Sequence, residues 1–162
     1  MILRRLLAET HTAADFSELA RNHFLGDLQT HVPPNQPLFT SGSKTQPLPA
    51  FNTLLCRARV LYGCGLGLEA VELFTRVISA SVGLRWEEGD EMEDALSVVD
   101  CDLAAALYNV KDVFGTRLKD QQDRDVLVAL DVGLKAVACQ MEDCGGDNPF
   151  ERAQDTLSEF KL

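Results

Sequence analysis

Three glycines at alternate positions, Gly63, Gly65 and Gly67 in "VLYGCGLGLEAVELF" (residues 60–74), are the first residues whose type and spacing could do chemistry. Glycine lets backbone amides approach a ligand closely, and a helix start just behind such a loop is suited to an anion. A second set is acidic: Glu87, Glu88, Asp90, Glu91, Glu93 and Asp94 crowd "RWEEGDEMED". Carboxylates three residues apart share a helix face, and two such pairs on facing helices can hold magnesium. Glu88 and Glu91 make one ExxE pair, Glu91 and Asp94 overlap it, and Asp120 with Asp123 is the nearest approach to a second. The histidines, His11, His23 and His31, have no metal-ligand spacing. Asp100 and Asp102 flank Cys101 within an apolar helical pattern. A buried Asp100 would need a partner such as Arg57 or Arg59.

Read with period two, "CRARVLY" (residues 56–62) is a strand feeding the glycine loop. "VLYGCGLG" is then similar to the glycine-rich motif of S-adenosylmethionine-dependent methyltransferases. That resemblance implies an α/β fold, with "VGLRW" as a second strand and Glu87 or Glu88 holding a ribose diol. The chain departs from the pattern in having only Tyr62 between "VL" and "GCG". Leu68 stands where a dinucleotide fingerprint has its third glycine, and residues 91–162 supply no alternating segment. The acidic set resembles the motifs of helical magnesium-dependent pyrophosphatases, which carry two such motifs on separate helices. Against both, the glycines end one helix, turn the chain and begin another. Residues 51–82 then form an αα-hairpin. That hairpin faintly resembles a tetratricopeptide unit, with Ala70 and Phe74 at matching places in its second helix.

Helical spacing recurs through the elements that must position these residues. An N-terminal helix is expected over 1–25, with Leu3, Leu6, Leu7, Phe16, Leu19 and Phe24 as its apolar residues. A Pro-rich connector follows over 26–50, where proline denies the backbone its donors. The helical core runs over 51–162. Phe51, Leu54, Leu55, Ala58 and Leu61 make one stripe, and Leu68, Val71, Phe74, Val77 and Ile78 the next. Leu96, Val99, Leu103, Leu107, Val110 and Phe114 follow, closed by Gly115. Leu127, Leu130, Leu134, Val137 and Met141 form a seam of threes and fours. Asn148 as N-cap, Pro149 and Glu151 start a last helix carrying Phe150, Ala153, Leu157 and Phe160. The expected fold is a single all-α domain, a bundle of about five to six helices.

Length, at 162 residues, fits one domain, and 46% hydrophobic content is enough for a core. A net charge of −10 excludes binding of nucleic acid by phosphate neutralisation and disfavours an anionic membrane surface. No apolar run reaches the ~18–20 residues of a membrane helix. The five cysteines are odd in number and contain no CxxC, so reduced thiols packed in a core within a reducing compartment are expected. An intracellular, cytoplasmic location follows. The leading functional expectation is a non-catalytic protein–protein interaction module, a complex subunit or homo-oligomer, without cofactor. Val126 to Leu130 are apolar nearly all round the helix, so Val128 is assigned to a partner surface, together with Phe150, Leu157 and Phe160 of the terminal helix. The enzymatic alternatives are a small transferase using Gly63, Gly65, Gly67 and Glu87, or a magnesium-dependent phosphohydrolase using Glu88, Glu91, Asp120 and Asp123.

Overall fold

A computed structural model describes residues 33–40, 44–87 and 89–162. The chain divides into two units, Met1–Pro33 and Pro34–Leu162. The helix expected over 1–25, the three histidines and Glu88 lie outside the described residues.

The described residues form an all-α bundle of five helices and contain no strand. Helix α1 is Pro49–Gly63, α2 is Gly67–Ser81, α3 is Glu91–Phe114, α4 is Gln121–Cys144 and α5 is Glu151–Ser158. Helix α2 is the hub. It packs on α1, α3 and α4, while α5 lies mainly on α3 and also touches α4. The stripe of α2 explains this, since Val71, Phe74, Val77 and Ile78 are fully buried. Burying side chains of this size contributes about 1.5–3 kcal/mol each relative to exposure. A glycine on α4 brings the hub close: a Cβ on Gly133 would stand 3.1 Å from Ile78 Cγ2.

Sequence cues set the helix ends. Pro49 occupies the first position of α1, where its missing N–H costs nothing. Gly115 ends α3 and Gly145 ends α4, both at positive φ. Asp120 caps α4 by accepting the Gln122 N–H at 2.8 Å. The last helix begins two residues later than its sequence signature suggests. Asn148 Oδ1 accepts the Phe150 N–H at 3.1 Å, so it caps the turn that leads into α5.

Part of the Pro-rich connector is ordered by the core. Leu48 N–H donates to the Leu38 carbonyl and Thr40 N–H to that of Gln46. Leu38 and Phe39 are buried, and the Phe39 ring lies 5.5 Å from Phe51. The link between α2 and α3 is pinned at two points. Thr45 Oγ1 donates to the Arg85 carbonyl at 2.8 Å. Gln140 on α4 accepts the Gly83 N–H and donates to the Leu84 carbonyl. No helix among the described residues is long and apolar enough to cross a membrane.

Candidate functional site

The strand that the methyltransferase resemblance implies over residues 56–62 is instead the second half of α1. "VGLRW" is also not a strand: its first two residues turn and the rest are irregular. Burial decides the matter, because Leu54, Leu55, Ala58 and Leu61 face the core at helical spacing. In the glycine loop, Gly65 has φ +82 and makes the turn between α1 and α2. Gly67 serves close approach: a Cβ there would stand 2.9 Å from the Ala106 carbonyl oxygen of α3 and 2.7 Å from Asn109 Oδ1. A Cβ on Gly63 would meet nothing within 4 Å. Glu87 follows the C-terminal end of α2, whereas these glycines lie at its N-terminal end. A helix of 15 residues rises about 22 Å, so the glycines and Glu87 cannot clasp one small cofactor.

The acidic alternative separates in the same way. Glu91 opens α3, while Asp120 and Asp123 open α4 beyond the far end of α3. The 24 residues of α3 span about 36 Å. Among the described residues no three metal-ligating side chains converge. The acidic turn has local employment instead. Asp90 pairs with Lys44 at 2.9 Å and accepts the Glu87 N–H, and the Glu93 carboxylate accepts the Gly89 N–H. The Lys44 ammonium and the Glu87 N–H hold the Asp90 carboxyl below its ordinary range. Glu91, Glu93 and Asp94 also complement the α3 dipole.

Asp100 is buried, as its place in the pattern allowed, but its partner is not Arg57 or Arg59. Its Oδ1 accepts the Ala153 N–H of α5 at 2.9 Å. Burial pushes its carboxyl above the ordinary range, against the backbone hydrogen bonds from Ala153 and Arg152. Arg59 pairs with Asp102 at 2.8 Å, and the Tyr62 hydroxyl donates to the same carboxylate. Burial and that carboxylate raise the Tyr62 hydroxyl above its ordinary range.

The assigned partner residues divide sharply. Phe150 is fully buried, and Leu157 and Phe160 are nearly so, against the chain's own core. Their stripe docks α5 onto α3 and is not offered to a partner. Val128 does face outward, 44% exposed, and Val132 one turn later is 63% exposed. Ala129, Ala136 and Cys139 continue the exposed side of α4. On α3, Val98 and Tyr108 are exposed, with Cys101 and Ala105 between them at steps of three and four. Neither Val132 nor the Val98–Tyr108 set was found from sequence. The signal available was spacing alone: Val128 and Val132 fall four apart, beside the buried seam of Leu127, Leu130 and Leu134.

The cysteines also depart from expectation. All five are free and exposed, and none is packed in the core. Cys56 and Cys139, for example, sit on the outer faces of α1 and α4.

No known protein family, curated protein or solved structure matches the chain.

Proposed function

We propose that the protein is a non-catalytic helical interaction module that works as a subunit of a protein assembly, either with other proteins or with copies of itself. The observation that carries this is the outward pair Val128 and Val132 on α4. They extend into an apolar strip through Ala129, Ala136 and Cys139, on a helix whose opposite face is already packed on α2. Single exposed apolar residues need no explanation, but several along one side of a helix, here bordered by the Asp131–Lys135 ion pair, mark a surface that gains from being covered. The Val98–Tyr108 strip on α3 adds a second such surface. Five exposed free thiols suit a reducing compartment, and we place the protein inside the cell, in the cytoplasm, on that ground.

The test is the double substitution Val128→Asp with Val132→Asp. Both side chains are exposed, so the fold should keep its helical circular dichroism. A protein or second copy that co-purifies with the wild type should be lost from the variant. Unchanged association of the variant, or a wild-type monomer that holds no partner and binds no hydrophobic dye, would overturn the proposal.

A further inference from the structure

Two adjoining concavities lie where the C-terminal end of α4, the link to α5, and the start of α5 meet. They share Met141, Gly146, Asn148 and Glu151 and have volumes of about 360 and 480 Å³. Together they form one continuous groove. Trp86, the chain's one tryptophan, lines it from the α2–α3 link. Gln140 and Thr45 pin the segment that carries it, so that wall is preformed.

The groove's chemistry is one-sided. Glu142, Asp147, Glu151 and Asp155 line it and are exposed, and no ion pair engages any of them among the described residues. Among the described residues the one cation along its walls is Arg152, whose guanidinium donates to Cys101 Sγ on α3. The carboxylates are strung along the walls and do not converge on a point: no metal-holding cluster of three exists among the described residues. A single small cation would therefore meet one or two of them at a time. A flexible chain bearing several cations could meet them all, with the aliphatic stems of its lysines or arginines lying on Met141 and an end group over the Trp86 ring.

We propose that the α4–α5 groove docks a lysine- or arginine-rich segment of a partner protein. This rests on the interaction-module reading but assigns a different surface from the Val128–Val132 strip. Opposite charge would speed encounter, and apolar contacts at Trp86 and Met141 would fix the register. The contact is salt-sensitive, since the carboxylates stand in solvent.

The experiment titrates a labelled short oligoarginine peptide into the full chain. It follows the anisotropy of the label and the emission of Trp86. Saturable binding that perturbs Trp86 and weakens with added sodium chloride is expected. The triple variant Glu142→Gln, Glu151→Gln, Asp155→Asn should lose roughly tenfold or more in affinity. The charge-matched variant Asp94→Asn, Asp112→Asn, Asp125→Asn, on exposed carboxylates outside the groove, should bind as the wild type does. Equal losses in the two variants would reduce the binding to net charge and overturn the proposal. So would absence of saturation, or spermine binding more tightly than the peptide, which would make a free polyamine the occupant. Groove variants that bind normally, beside a Val128→Asp, Val132→Asp variant that loses its partner, would sink the groove and leave the interaction-module reading standing.

Discussion

Of the four glycine-bearing links between the described helices, two have opposite fates. "YGCGLG" joins α1 to α2, and "CGGDNP" joins α4 to α5. The first looks like a ligand loop in sequence yet is closed by its own neighbours: Leu66 is buried, and Gly67 lies against the α3 backbone. The second has no recognisable motif, yet it borders the acidic groove. The difference comes from what surrounds each turn. At the first, α3 passes so close that no Cβ fits at Gly67. At the second, residues 145–150 carry the chain from α4 to α5, and a hollow lies between the link and the helices. Glycine spacing alone therefore says that a backbone turns or approaches closely, and the neighbouring elements decide whether a ligand has room.

Phe150→Ala should have the largest effect, about 3–5 kcal/mol lost in chemical denaturation, because the ring that seats α5 is fully buried. A loss under about 1 kcal/mol would mean that α5 is not docked as described. Gly67→Ala should cost about 1–3 kcal/mol, since the new methyl meets the backbone oxygen of Ala106. Gly63→Ala, with open space around it, should be close to neutral. Equal effects at 63 and 67 would contradict a turn closed by α3.

Asp100→Ala should cost about 1–2 kcal/mol by orphaning the Ala153 N–H at the start of α5. Asp100→Asn keeps an acceptor and removes the charge, and so gives a pH signature. Burial raises the folded pKa of Asp100 above its unfolded value. Its contribution to stability is therefore fullest when it is protonated, below the unfolded pKa, and is lost as pH rises through the folded pKa. The Asn variant should match or exceed the wild type at neutral pH, and its relative advantage should vanish as pH falls below the ordinary aspartate range. Urea melts across that range would show it; an Asn variant that is weaker at pH 7 and equal in acid would reverse the sign.

Much of the fold was legible because helical period survives packing. The stripes over Leu68–Ile78 and Leu96–Val110 fall on buried faces as spaced, and the seam Leu127–Val137 does the same. Gly115 marks a real helix end. The candidate sites were less legible, because they depend on which faces meet. Phe150, Leu157 and Phe160 form an apolar stripe in any reading, but spacing cannot say whether α3 or a partner covers it. Met141 closes the α4 seam in sequence, yet it lies half-buried at the groove because α4 extends past the part of α2 that it packs against. Trp86 reaches the same place from a link with no regular structure, held by Gln140 more than fifty residues away. Asp100 needed a partner, as burial demands, but a backbone amide of a later helix met that need, and side-chain types do not record it.

The contrast between the two turns is tested most directly by nuclear magnetic resonance on the isotope-labelled full chain as oligoarginine is added. Shifts should concentrate at the Trp86 indole, Met141, Gly146 and Glu151, with Gly63, Gly65 and Gly67 unmoved. Shifts centred on residues 63–67, or spread evenly over every acidic surface, would contradict it.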